Sequence, residues 1–204
     1  MPTMPAAADS PGPADGASPR MAAADVLFLR DRFRREGIPF WVDGGWGVDA
    51  LLGRQTRPHA DLDVVVLRHD LDRFVALLAG LGYRPVKLAE ARPHNFVMGD
   101  GAGREVDLHV VWFDAAGRGR YDADPEGEHY PAGSLAGHGA IAGQPVRCVA
   151  PAAMVAFHTG YPLQPKDLAD VAALCAAFGL PLPEEHARAA RARGPIRPTT
   201  CSPW

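Results

Sequence analysis

Cysteine is scarce: the 204-residue chain has three, Cys148, Cys175 and Cys201, widely spaced and without a CxxC pair. An odd, scattered set argues against a disulfide framework or a zinc site and fits a reducing cytoplasm. No apolar run approaches the length that spans a bilayer, so no membrane partner is expected. Positive charge is not in excess: 21 Lys and Arg stand against 24 Asp and Glu, a formal charge of −3. With no basic stripe and no basic–aromatic interleaving, a nucleic-acid partner is not expected. Residues 1–20 lack the hydrophobic core of a secretory signal and read as a disordered leader of Ala, Pro, Gly, Ser and Asp. After Pro181 the chain is polar, Arg-rich and proline-bearing, and residues 181–204 read as a flexible tail.

Between these ends the apolar pattern alternates between helical and strand periods. Residues 21–36 carry Val26, Leu27, Leu29 and Phe33 at helical spacing, and Gly37 ends the run. A short strand over 39–42 breaks at Asp43-Gly44-Gly45, and a helix follows over 46–52. A strand over 61–67 ends in the run Val64-Val65-Val66-Leu67, the composition of a strand buried on both faces. A helix over 70–81, strands over 83–88, 95–98 and 104–112, a loop-rich stretch over 113–139 and a hairpin around Gly143-Gln144 come next. Helices over 151–158 and 166–178 close the sequence of elements. The order predicts an α/β (α+β) fold: a mixed sheet with flanking helices over 21–112, then a loop, hairpin and mainly helical part over 113–180.

Three features bear chemistry. Asp61-Leu62-Asp63 opens the apolar strand, and strand alternation puts both carboxylates on one face. They are either solvated strand-start aspartates or a pair that shares a cation. Magnesium favours a few carboxylate oxygens, waters and substrate phosphates, so the second reading implies a nucleotide. Asp107-Leu108-His109 lies on a later apolar strand, where an acid is costly unless it is paired or metal-bound. His109 shares the face of Asp107 and reads either as a packed histidine or as a second base beside Asp107. Asp43-Gly44-Gly45-Trp46-Gly47 joins a strand to a helix, where backbone N–H groups can meet a phosphate. The polar loop after that helix carries Arg54, Thr56, Arg57 and His59, a source of cations for phosphate oxygens.

The stretch from Trp41 to Asp63, WVDGGWGVDALLGRQTRPHADLD, resembles the signature of the antibiotic nucleotidyltransferases, in particular the small lincosamide nucleotidyltransferases and the aminoglycoside 2''-nucleotidyltransferases. Their wider superfamily has Gly-Gly, a spacer, Asp-x-Asp and a later Asp. Asn95-Phe96-Val97, Gly103 to His109, Phe157 to Tyr161, and Lys166-Asp167 ahead of Asp170 to Cys175 continue the likeness in order, over roughly residues 25–180. The resemblance implies that Asp61, Asp63 and Asp107 hold magnesium, with Asp107 also the candidate base. It implies that Gly44, Gly45, Arg57 and Lys166 bind the nucleoside triphosphate, ATP first. It places His109, His158 and Tyr161 as candidates for the acceptor pocket. The implied reaction moves a nucleoside monophosphate to a hydroxyl of a small-molecule antibiotic. Two other readings stay open: a transferase of the same superfamily acting on RNA or protein, and a non-catalytic binding protein on this fold. The acidic stretch Asp122, Asp124, Glu126 and Glu128 would suit a cationic acceptor, or is a solvated loop.

Overall fold

A computed structural model describes residues 21–89, 91–121 and 130–193. The leader and the acidic stretch lie outside the described residues, as do residues 194–204 of the tail. Helix α1 (Ala23–Arg35) leads into β1 (Phe40–Val42), α2 (Gly44–Leu52) and β2 (Asp61–Leu67). Helix α3 (Leu71–Gly80) and strands β3 (Arg84–Pro85), β4 (Asn95–Gly99), β5 (Glu105–Phe113) and β6 (Gly119–Arg120) follow. Hairpin β7 (Gly137–Ile141) and β8 (Gln144–Cys148) precedes helices α4 (Pro151–Phe157), α5 (Pro165–Phe178) and α6 (Glu184–Arg193). The α/β expectation is met by one mixed sheet, ordered β3-β4-β5-β2-β1-β8-β7, with β6 paired to β5. Strand β2 runs parallel to β5 and β1 parallel to β8; the remaining pairs are antiparallel.

Alternation along the central strands makes two cores. Leu62, Val64 and Val66 of β2 and Val106, Leu108 and Val110 of β5 pack towards α1 and α3. Val65 and Val111 face the opposite way, into a second core with Val155 of α4 and with Val171, Leu174 and Cys175 of α5. Val64, Val65 and Val66 are all buried, as a doubly covered strand requires. The first core is organised by Phe33 of α1, stacked on Phe74 of α3 with centroids 3.8 Å apart, while Phe40 meets both edge-on. Phe33→Ala should therefore cost about 3–5 kcal/mol, the range for deleting a buried aromatic ring, read as a lower denaturant midpoint at unchanged slope.

Several local expectations are corrected. Helix α2 starts at Gly44, so the Gly-Gly pair forms its first turn rather than a loop ahead of it. The expected strand over 83–88 shrinks to two residues at the sheet edge: Arg84 and Pro85 pair in register with β4, and beyond them the Val86 N–H donates to the Val97 carbonyl at 2.8 Å. After Pro181 the chain forms α6, where a loose tail was expected. His186 anchors it, being 1% exposed. The helix is legible only in part because its apolar face is made mostly of alanine. The hairpin turn lies at Ala142-Gly143, one residue ahead of the expected pair, and both residues have positive φ. No helix of the described residues is long and apolar enough to cross a membrane.

Candidate active site

The site lies on the sheet face that carries α4 and α5, where β1, β2 and β5 run side by side. Parallel pairing of β2 with β5 sets Asp63 opposite Asp107, and Asp61 opposite Glu105. Among the described residues, the His, Cys, Asp and Glu group whose ligand atoms all lie within 4.8 Å of one another is Asp63, Asp107 and His109. Asp61 shares the face but stands two residues nearer the strand start and is not in that group. Asn95, on the neighbouring β4, donates an amide N–H to Asp107 Oδ1 at 3.3 Å, and its Nδ2 lies 3.1 Å from His109 Nδ1. The Tyr121 hydroxyl lies 3.4 Å from the same Nδ1, and His109 Nε2 lies 3.9 Å from Asp63 Oδ1.

A fourth carboxylate joins from the end of β1. Asp43 is buried; its Oδ1 accepts from the Gly44 N–H at 2.8 Å, and its Oδ2 accepts from the Tyr130 hydroxyl at 2.8 Å. Burial and the nearby Asp63 push Asp43 up, although His109 and the two hydrogen bonds oppose them. Burial also pushes Asp107 up to about 6, with His109 opposing and Asp63, Asp43 and Glu105 adding to it. Burial acts the same way on Asp63, but His109, whose Nε2 lies 3.9 Å from its Oδ1, outweighs it, helped by the charge of Lys166, and holds it low. Lys166 thus acts on Asp63 from the first turn of α5. Burial alone would lower His109, yet its surroundings, including Tyr121, Asp63, Asp107 and Asp43, hold it well above its ordinary value.

The two glycines make this crowding sterically possible. Gly44 has φ +53°, and a β-carbon there would overlap the Asp63 carboxylate, falling 2.6 Å from Cγ. A β-carbon on Gly45 would fall 2.5 Å from His59 Nδ1 and 2.7 Å from Arg57 Nη2. Arg57, expected near the nucleotide, therefore lies against the turn. Its Nε and Nη2 donate to Asp170 Oδ2 at 3.3 and 3.1 Å, and its Nη1 lies 3.1 Å from His59 Nδ1. His59 Nε2 in turn lies 2.5 Å from Asp49 Oδ2. Asp49 also accepts from the Thr56 N–H and hydroxyl at 2.9 and 2.6 Å.

Two of the expected acceptor-pocket residues are not brought to the acids. His158 caps α4 locally, its Nδ1–H donating to the Met154 carbonyl at 2.8 Å. Tyr161 lines a separate cavity of about 380 Å³ with Leu163, Glu185, Arg188, Ala189 and Ala192. Conversely, Asp43, Asn95, Tyr121 and Tyr130 belong to the site although the sequence pattern assigned them no role in it. Asp43 and Asn95 sit inside the family's motifs, so position in the motif was a usable signal. Tyr121 and Tyr130 flank an aperiodic stretch that offers none.

The donor set suits a hard cation in part. Asp63 and Asp107 offer oxygens, and repulsion among Asp63, Asp107 and Asp43 is what a cation would relieve. An imidazole is a poor magnesium ligand, so His109 fits as a neighbour of the ion.

Known proteins bear on the geometry. The family model for aminoglycoside-2''-adenylyltransferase matches residues 25–174. A lincosamide resistance protein of Staphylococcus haemolyticus is 26% identical over 148 residues, 72% of this chain and 90% of that protein. A 2''-aminoglycoside nucleotidyltransferase of Klebsiella pneumoniae is 34% identical over 118 residues, 54% of this chain and 58% of its own length. Two crystal structures share the fold at 24% identity. The lincosamide antibiotic adenylyltransferase LnuA with lincomycin bound has a TM-score of 0.65, over 76% of this chain and 96% of that one. ANT(2'')-Ia in complex with adenylyl-2''-tobramycin has a TM-score of 0.62, over 84% and 97%. The family match spans most of the sequence, including the Gly-Gly turn, both strands that bear the acids and most of α5: the chain belongs to the aminoglycoside-2''-adenylyltransferase family and is a nucleotidyltransferase.

Proposed function

We propose that the protein transfers AMP from ATP, with magnesium, to a hydroxyl of a small antibiotic, a lincosamide ahead of an aminoglycoside. The observation that carries this is the juxtaposition of Asp63 and Asp107 in register on parallel strands, beside a Gly-Gly helix start and within electrostatic reach of Lys166. The two carboxylates, with Asp61 further along the same face, are the groups that would hold magnesium, which when bound neutralises charge on the phosphates. Gly44 and Gly45 open α2; the Gly44 N–H is held by Asp43 Oδ1, and the first turn from Gly45 onward is a favourable end for an anion. Lys166 and Arg57 add cationic donors.

The acceptor oxygen attacks the α-phosphorus in line, the new O–P bond forms as the bond to pyrophosphate breaks, and the acceptor's proton passes to a base. Asp107 is that base. Both nitrogens of His109 are directed at protein groups, Nε2 towards Asp63 and Nδ1 towards Asn95 and Tyr121, so His109 orients and balances the acids. Residues 21–112 form the nucleotidyltransferase domain in this reading, and 113–180 the part that follows it. The hairpin of the second part completes the sheet beside β1. A cytoplasmic setting fits the two buried free thiols, Cys148 and Cys175.

The test is mass spectrometry after incubation with magnesium, mixed nucleoside triphosphates, and a panel of lincosamides and aminoglycosides. A lincosamide gaining one AMP is the expected product. The absence of any adduct, together with no protection of a sensitive host against either drug class, would sink the proposal.

A further inference from the structure

Four polar side chains form one largely buried line from α2 to α5: Asp49, His59, Arg57 and Asp170. Asp49, His59 and Asp170 are 0%, 4% and 3% exposed and take no part in the reaction as written, while the Arg57 side chain keeps 30%. The hydrogen bonding has a direction. A guanidinium has five N–H donors and no acceptor, so His59 Nδ1 must accept from Arg57 and His59 Nε2–H must donate to Asp49. Asp170 takes two donors, from Nε and Nη2, and His59 takes one from Nη1. One N–H on each terminal nitrogen is then left over, in the only partly exposed member of the line, where Nη2 abuts Gly45.

Asp170 is three residues past Asp167 on α5, far along the chain from the loop it anchors. A buried acid on the helical part therefore fixes an arginine on the loop between the Gly-Gly turn and the Asp61-Asp63 strand. Alone, a partly exposed arginine would sample many rotamers; held on one edge by Asp170 and at one tip by His59, its remaining donors have one orientation. Two N–H groups fixed at one end of a planar fork suit a phosphate oxygen pair, for which a flexible ammonium is a poor substitute.

Resting on the nucleotidyltransferase reading above, we propose that Asp170 and His59 are positioning residues that aim Arg57 at the triphosphate beside Gly45, with Asp49 fixing only the tautomer of His59. They act through Arg57 and touch no substrate. His59 has no proton-transfer role; its two nitrogens are a bridge with one acceptor and one donor.

Amide replacements of His59 separate this from simple packing. His59→Asn keeps an acceptor near the Nδ1 position and loses the donor to Asp49. His59→Gln reaches the Nε2 position and loses the acceptor for Arg57. The measurement is binding of ATP with magnesium to the full chain by calorimetry, alongside melting temperature without nucleotide. Asp170→Asn, His59→Gln and Arg57→Lys should each weaken binding about tenfold or more, the scale of losing one well-made charged hydrogen-bond arrangement. His59→Asn should stay within about threefold of the parent despite a comparable drop in melting temperature, a smaller change than losing one net hydrogen bond to the ligand would give. Equal losses in the Asn and Gln variants, or parental affinity in Arg57→Lys, would overturn the proposal. Arg57→Lys decides the matter should the His59 variants fail to fold, because it retains the ion pair with Asp170. Failure of the parent chain itself to bind ATP would count against the nucleotidyltransferase substrate reading instead.

Discussion

Neutralising Asp63 or Asp107 is expected to abolish turnover in a chain that still folds. Both sit at the same register level on β2 and β5, half-buried, with Asp43 behind them. Each substitution removes one charge from the close cluster of ligand atoms found among the described residues. Asp63→Asn should weaken nucleotide binding in magnesium, because the cation loses a carboxylate. If Asp107 serves chiefly as base, Asp107→Asn should keep binding and lose about 10²–10⁴-fold in kcat, the usual worth of a positioned base. Their thermal behaviour should differ in sign. Asp107 is raised by burial and by three acidic neighbours, so its ionised form costs stability and Asp107→Asn should melt higher in magnesium-free buffer at neutral pH. Asp63 is held low, against burial, by His109 and Lys166, so its ionised form is stabilising and Asp63→Asn should melt lower. Asp61→Asn should also abolish turnover; near-native rates in both Asp61→Asn and Asp63→Asn would remove the metal from the mechanism.

Gly44→Ala should be nearly as damaging, for a steric reason. At φ +53° an L-residue incurs about 1–2 kcal/mol of backbone strain, and here the new methyl also overlaps the Asp63 carboxylate. The Asp63 carboxylate cannot withdraw without leaving its place beside Asp107 and His109, so the expected result is a loss of at least about 10²-fold in kcat/KM, consistent with the sensitivity of catalysis to misplacement of about 1 Å. Gly37→Ala is the matched control. Gly37 has φ +65°, a methyl group there would meet nothing within 4 Å, and the residue lies in the turn after α1, away from the acids. It should lower the melting temperature similarly and leave turnover unchanged. If Gly44→Ala loses no more activity than Gly37→Ala, crowding at Asp63 is not what the glycine relieves.

Local pattern along the chain was enough to place the chemistry on its strands. The period-two alternation of Asp61-Leu62-Asp63 and Asp107-Leu108-His109 put the right side chains on a shared face, and the Val64 to Leu67 run marked a doubly buried strand. The family's motif order, from the Gly-Gly turn to Lys166-Asp167, pointed to nucleotidyl transfer before any contact was known. Everything that depends on which distant elements meet came from packing instead. Parallel pairing of β2 with β5 set the level at which the acids stand, so that Asp63 rather than Asp61 lies in the close cluster with Asp107 and His109. Long-range folding brought Tyr121 to His109 and Tyr130 to Asp43, on either side of a stretch with no periodicity to read. Docking of α5 gave Arg57 a partner 113 residues away, turning an expected phosphate ligand into one held by a buried acid first. Alternation and motif are properties of neighbouring residues along the chain, whereas register and long-range ion pairs are set by the burial of two cores at once, and that information is carried by no single segment.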